Sequence, residues 1–258
     1  GLLRFLISKP AQDGSLEDSL KSLGTTYVRV LKPFLHGVFL TDPKNVDARY
    51  GQSIIKSFAT GSPGLPRRGV AALSQALAAR VNKIYYQVQV NSLEPGSVNT
   101  SAGEFQAESI VIATDATTAT QLLGLNDVPR MAGCITWYHA TTANPSGNGR
   151  LVIDGQSRGP VINSLVVSDI SSDYAPKGQY LVSSTSDLSA TESDVRRHLS
   201  NLWGVNTQDW DLIAKYEIPA ALPIHSVGRS LTQTVQISEK LFVVGDHRAV
   251  PSQQGALF

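Results

Sequence analysis

The stretch "LFVVGDHRAVPSQQGALF", residues 241–258, constrains the fold of this chain more than any other. Its apolar start predicts a buried strand ending at Gly245, where a glycine lets the backbone approach a ligand closely. Asp246 follows and offers a carboxylate to sugar or polyol hydroxyl groups. A helix is predicted to start near Gly255, with free N–H groups that favour electron-rich oxygens. An ordinary turn is the other interpretation of the same residues.

The composition excludes several classes of protein. Hydrophobic residues make up 41% and charged residues 17% of the 258, which indicates a globular protein with a buried core. The formal net charge is only +1, so no basic field indicates nucleic-acid binding. The single cysteine, Cys134, excludes a disulfide framework and a Cys-rich metal site. No apolar run is long enough to span a bilayer, and we expect a soluble protein of a reducing compartment, cytoplasm or plastid.

Motifs for metal or hydrolytic chemistry are missing from the sequence. It contains no H-E-x-x-H, no zinc-spaced Cys/His pair, no EF-hand loop, no G-x-S-x-G and no P-loop. The five histidines are scattered, and each fits a packed or surface side chain better than a catalytic one. Metalloenzymes and hydrolases are therefore disfavoured, with a site assembled from distant residues as the alternative. No metal ligand and no catalytic base are assigned.

Local signals predict the helices. Ser15 and Thr191 each stand three residues before an aspartate, as the first residue of a capping box does, so a helix is predicted after each. A helix is also predicted over about 46–59, from apolar residues spaced by four. In between, Pro33 and Gly37 are expected to break an apolar, partly helical segment.

Strand signals and helix signals divide the chain into regions. "KIYYQVQVNSLE", residues 83–94, alternates and predicts a strand, whereas the continuous "SIVIAT", residues 109–114, predicts a strand buried on both faces. The stretch after it is strand-rich and predicts a mixed or antiparallel sheet. We expect a helical segment at 1–59 and a loop–helix–strand segment at 60–114. A mixed-sheet segment at 115–239 and a closing strand–turn–helix segment at 240–258 follow.

Five segments together resemble the FAD-dependent amine oxidase superfamily, most closely its phytoene desaturase-like branch of carotenoid desaturase- and isomerase-like oxidoreductases. A polyol-binding carboxylate beside a helix start already fits a flavin with its ribityl chain. The matching segments follow the family's order and span nearly the whole chain. They are "RVLKPFLHGVFLTDP", "LPRRGVAALSQALA", "SIVIATDA", "DYAPKGQYLVSS" and "LFVVGDHRAVPSQQGAL".

The resemblance implies an α/β (α+β) architecture, an incomplete FAD/NAD(P)-binding fold with a mixed-sheet substrate domain. It implies that Gly245 and Asp246 approach the ribityl or pyrophosphate part of FAD. Backbone N–H groups at Gly255, Ala256 and Leu257 would then face the pyrimidine edge of the flavin ring. Val90 would correspond to the family's adenine-contacting valine, with a core strand residue as the alternative.

The sequence departs from the family pattern in one important respect. The family's strand–G-x-G-x-x-G–helix unit, which binds the FAD pyrophosphate, has no match here, and its "GG" pair is Arg68-Gly69. We therefore expect a piece of a longer flavoprotein that binds FAD weakly or not at all by itself.

The implied reaction is hydride transfer to flavin from a small apolar polyene or amine-type substrate. The alternative is a cofactor-free remnant or subunit that binds a protein partner or an apolar ligand. Peripheral membrane contact fits either hypothesis.

Overall fold

The computed structural model describes residues 2–10, 13–125 and 129–257. The described part of the chain has helices and strands in alternating groups. The helices are α1 (Leu2–Ile7), α2 (Leu16–Leu20), α3 (Lys32–Phe39), α4 (Ala48–Thr60), α5 (Ala71–Ala78), α6 (Ala116–Leu122), α7 (Glu192–Trp203) and α8 (Gln253–Leu257). The strands are β1 (Val90–Glu94), β2 (Ser97–Thr100), β3 (Gly103–Gln106), β4 (Ile110–Ile112), β5 (Met131–Thr141), β6 (Val152–Ile153), β7 (Val161–Val166), β8 (Tyr180–Ser186), β9 (Asp211–Pro223), β10 (Gln236–Ser238) and β11 (Leu241–Val243).

The first four helices pack around one hydrophobic core. Fully buried leucine and aromatic side chains fill it, from Leu16 and Leu20 of α2, Leu35 and Phe39 of α3, and Tyr50 of α4. The predicted cap of α2 is confirmed, since the Ser15 Oγ accepts the N–H of Asp18 at 3.0 Å. The predicted helix at about 46–59 is confirmed as α4.

The expected break at Pro33 and Gly37 is wrong. A π-helical turn, Tyr27–Leu31, leads directly into α3, and Pro33 lies in its first turn, where a missing N–H disrupts no helical hydrogen bond. Gly37 lies inside α3 because the helix packs closely against β7. A Cβ at Gly37 would lie 2.7 Å from the Nδ2 of Asn163, so only a glycine fits this contact without movement.

A five-stranded sheet forms the second region. Its order is β6-β7-β8-β5-β9, and every neighbouring pair is antiparallel. The helix α7 covers one face, and Trp137, Val182 and Leu199 are buried between sheet and helix. The predicted caps of α7 are confirmed: Thr191 accepts the N–H of Asp194, and Gly204 ends the helix at φ +68°.

Two small sheets complete the fold. The strands β1, β2 and β3 form an antiparallel sheet, and β10-β11-β4 form a mixed sheet in which β11 and β4 run parallel. The predicted strand at 83–94 is too long, because only β1 at its end pairs with a neighbour. The prediction that "SIVIAT" is buried on both faces is wrong, since Val111 is 57% exposed. The division of the chain into four segments stays a prediction.

Candidate functional site

The two parallel strands β4 and β11 bring two turns together at one edge of their sheet. Ile112 pairs with Val243, and the N–H of Val244 donates to the Ile112 carbonyl at 2.9 Å. After β4 the backbone continues to Asp115, which caps α6. After β11 it continues into the Asp246 turn. Ligands of α/β proteins bind in the crevice outside the carboxyl ends of parallel strands. This edge is therefore the candidate site.

The backbone conformation and the close packing at Gly245 favour glycine, without any ligand. Its φ is +141°, and a Cβ there would lie 2.9 Å from the Nδ1 of His247. The carbonyl of Thr114, at the end of the neighbouring strand, would be 3.8 Å away. The glycine is required by the fold of the turn, and its approach to a cofactor stays a prediction.

Asp246 carries a carboxylate that lacks a strong partner. Its side chain is 31% exposed, and the nearest basic atom is the Nδ1 of His247 at 4.0 Å. Burial raises the pKa of Asp246, although His247 and the local backbone N–H groups act against that rise. Within the described ranges, no side chain donates a hydrogen bond to it. A half-buried carboxylate with spare acceptor capacity can bind hydroxyl groups.

His247 is the residue at this site that the sequence reasoning missed. It is only 5% exposed, and in the described part of the chain neither ring nitrogen has a hydrogen-bond partner. Burial lowers its pKa, so the ring is neutral at pH 7. The Nε of the neighbouring Arg248 is likewise buried without a partner. The available signal was adjacency, because both residues directly follow Asp246 in "GDHRAV".

The helix α8 packs against the Asp246 turn, so the structure brings the closing segment together. The expectation of free N–H groups does not hold for Gly255 and Ala256. The N–H of Gly255 donates to the Ser252 Oγ at 3.0 Å, and the N–H of Ala256 donates to the Ser252 carbonyl at 3.0 Å. Leu257 follows them with an exposed side chain. Contact of these three residues with a flavin stays a prediction.

Val90 lies in a different sheet from the other predicted cofactor contacts. It begins β1 and stands opposite Thr100 of β2. The structure does not join it to the turn at Gly245 and Asp246, so its role at an adenine stays a prediction.

Tyr138 and His139 are neighbours on β5 and point to opposite faces of the five-stranded sheet. His139 is fully buried, and its ring centroid lies 6.1 Å from that of Trp210 in the core beneath α7. Burial lowers the pKa of His139 to about 4, so the ring is a neutral core side chain. Tyr138 lies on the other face, beside Tyr216 of β9.

Other kinds of site find no support among the residues that the structure describes. No group of three or more His, Cys, Asp or Glu side chains could hold a metal ion there. No described helix has both the length and the apolar character needed to cross a membrane.

Comparison with known proteins shows the fold. No protein-family model matches the chain, and no curated protein matches its sequence. An oxidoreductase from Methanosarcina mazei has a TM-score of 0.72 at 14% identity, covering 99% of this chain and 68% of that chain. A Pyrococcus furiosus protein has a TM-score of 0.73 at 14% identity, again covering 99% and 68%. A candidate protoporphyrinogen oxidase from Exiguobacterium has a TM-score of 0.68 at 13% identity, covering 96% and 67%.

These similarities confirm the α/β fold class predicted from the sequence. At 13–14% identity they establish a shared fold and leave the activity to the chemistry of the site.

Proposed function

We propose that the protein belongs to a FAD-dependent oxidoreductase of the amine oxidase type. The observation that carries the proposal is the Asp246 carboxylate. It is half-buried, has a raised pKa, receives no side-chain hydrogen bond from the described residues, and lies where the parallel strands β4 and β11 end. The shared fold supports the proposal, because two of the structures are described as an oxidoreductase and a candidate protoporphyrinogen oxidase.

The residues at the strand ends fit part of a flavin. Asp246 can accept hydrogen bonds from ribityl hydroxyl groups, which would stabilise its ionised form. The N–H groups of Gly255 and Ala256 would need to exchange their bonds to Ser252 in order to contact the flavin. When bound, the flavin supplies the two-electron oxidation, and this chain's residues position and shield it.

The outer face of the five-stranded sheet fits an apolar substrate. Opposite α7, the rings of Tyr138 and Tyr216 meet edge to face with centroids 6.0 Å apart. Tyr216 and Ile218 are exposed on the edge strand β9. Burial raises the pKa of the Cys134 thiol, which argues against a thiolate nucleophile on this sheet. We propose a polyene or an apolar amine as the substrate class.

A cofactor-free binding module is the second candidate. Two observations favour it: the N–H groups of Gly255 and Ala256 are already bonded, and the sequence lacks a G-x-G-x-x-G unit. Such a module would use the exposed residues of β9 to bind an apolar ligand or a protein partner.

Flavin binding distinguishes the two candidates. The test titrates riboflavin and FAD separately into the purified chain and follows flavin fluorescence. We expect weak, saturable binding, with a Kd of roughly 10 µM or higher for both. Kd values that agree within about threefold would indicate that the pyrophosphate adds little to binding, as the missing G-x-G-x-x-G unit implies.

The variant D246N should weaken binding of both flavins by roughly tenfold, the usual effect of losing a charged hydrogen bond. The exposed Asp209 provides the matched control, D209N, which should bind as the wild type does. Flavin binding that D246N leaves unchanged would favour the cofactor-free module.

A further inference from the structure

A cavity lies next to the Asp246 turn, between α6, the loop 224–233 and the end of β11. Its volume is about 540 Å³, within the range of small-molecule sites. We call it the arginine cavity and define it by Arg130, Arg229, Arg248 and His247, which all line it. Ala119 and Thr120 of α6 line the facing wall, together with Leu123 and Leu125 after the helix.

The charged side chains that the structure describes in the lining of the arginine cavity are all basic. Three arginines line it, and no Asp or Glu is among its described lining residues. Across the ranges that the structure covers, none of the three forms an ion pair. Two are held in place by backbone carbonyls: the Nη2 of Arg229 donates to His247 at 2.8 Å, and the Nη2 of Arg248 donates to Thr234. The Nη1 groups of Arg229 and Arg248 form no hydrogen bond with the described residues.

Three buried nitrogen atoms beside the cavity lack hydrogen-bond partners among the described residues. The Nε of Arg248 and both ring nitrogens of His247 are buried without a partner among the described residues. Burial, followed by the charge of Arg229, lowers the pKa of Arg248. Neighbouring cations with few acceptors are unfavourable unless an anion compensates for them.

We infer that the arginine cavity binds the phosphate group of a small molecule. Guanidinium groups match phosphate oxygens in pairs, and a phosphate near neutral pH carries enough charge to face more than one arginine. The imidazole of His247 adds a donor at the buried end. A carboxylate carries a single charge and would satisfy one guanidinium at a time.

The site is independent of the proposed flavin contacts, since Asp246 does not line the cavity. The phosphate source is either the FAD pyrophosphate or a separate phosphorylated ligand. Competition between the probes described below distinguishes these sources.

Isothermal titration with inorganic phosphate tests the inference, with sodium chloride at equal ionic strength as the reference. We expect saturable binding with a Kd of roughly 1 mM or tighter, and acetate should compete poorly. In NMR spectra, phosphate should shift the ring 15N resonances of His247 and leave those of His198, which has both ring nitrogens bonded, in place. Equal effects of chloride, or equal binding of acetate, would overturn the assignment.

Two variants locate the binding. R130Q alters an exposed side chain and should keep the fold, while R248Q removes the half-buried guanidinium of Arg248. Each variant should weaken phosphate binding by roughly tenfold. R150Q, at another exposed arginine, should bind phosphate as the wild type does. If R130Q binds normally and the His247 resonances do not move, the inference is wrong.

A final competition identifies the source of the phosphate. Displacement of inorganic phosphate by FAD but not by riboflavin would assign the cavity to the cofactor's pyrophosphate. Phosphate that stays bound when flavin binds would assign it to a separate ligand. Failure of flavin to bind would affect only the proposed function, since the phosphate titration does not require it.

Discussion

Two buried histidines, each with an aspartate nearby, differ in how far their ring nitrogens are hydrogen-bonded. His198 lies in α7, and both of its ring nitrogens are used: Nδ1 accepts the N–H of Val161 at 3.0 Å, and Nε2 bonds to Asp154 at 2.9 Å. His247 is buried nearly as deeply, but its nearest carboxylate oxygen, on Asp246, is 4.0 Å away. Only the first pair is completed by the fold.

The two carboxylates differ in the same way. Burial acts to raise the pKa of Asp154, but the N–H groups of Arg158 and Gln156, with the side chains of Arg158 and His198, outweigh it and hold that pKa well below its usual range. Asp246 is more exposed, yet its pKa is raised because few donors oppose its burial. The first carboxylate stabilises the fold, and the second is available for a ligand.

The largest effect is expected at the completed pair. D154A should lower the free energy of unfolding by about 4 kcal/mol, because it leaves the buried His198 without its carboxylate partner and removes the acceptor of two backbone N–H groups. Urea unfolding measures the change. D173A, which breaks the exposed pair with Arg67, should lose less than about 1 kcal/mol.

The Asp154 contribution also depends on pH. Because its folded pKa is lowered, the stabilisation is present above the ordinary aspartate pKa and is lost as the pH falls through the folded value. The difference between wild type and D154A should therefore shrink in acid. Equal stability of the two proteins at pH 7 would show that the pair is not structural.

A somewhat smaller effect is expected where the turn meets His247. G245A should lower the free energy of unfolding by about 3 kcal/mol, because φ is +141° and the new Cβ would contact the imidazole. Gly178 provides a matched control, since its φ is also positive at +85° but its Cβ would meet nothing within 4 Å. G178A should cost about 1 kcal/mol. Equal losses in the two variants would mean that His247 is not packed against the glycine.

The smallest effect has the opposite sign. Because the folded pKa of Asp246 is raised, wild-type stability falls as the pH rises from the ordinary aspartate value through the folded value. D246N lacks this loss and should be more stable at pH 7, by up to about 1 kcal/mol, and equally stable at pH 3. Urea unfolding at both pH values, with D209N as the control, checks the prediction. A destabilised D246N would show that the fold uses this carboxylate.

The elements with local signals were predictable from the sequence. The caps at Ser15 and Thr191 determine helix starts through hydrogen bonds to residues three positions away, so neighbouring letters contain the needed information. The strand predicted at 83–94 failed because alternation does not supply a partner strand. Gly37 was wrongly predicted to break the helix. A glycine is needed there because of the close contact with Asn163, which is far away in sequence.

The site shows the same limit. Its position at the end of β11 followed from the strand and the Gly245-Asp246 pair, which are local. The Asp246 carboxylate, the ring of His247 and the Nε of Arg248 lack side-chain hydrogen bonds because no suitable partner from elsewhere in the described chain lies close to them. A sequence pattern does not contain that information, so the arginine cavity was found only in the structure.

The most direct test of the central claim follows the side-chain carboxyl 13C resonances of Asp246 and Asp154 by NMR while FAD is added. The account predicts that the Asp246 resonance shifts and that its pKa falls towards the ordinary value, as hydroxyl groups donate to it, while Asp154 does not change. An unchanged Asp246 resonance at saturating FAD, or equal shifts at both residues, would contradict the account.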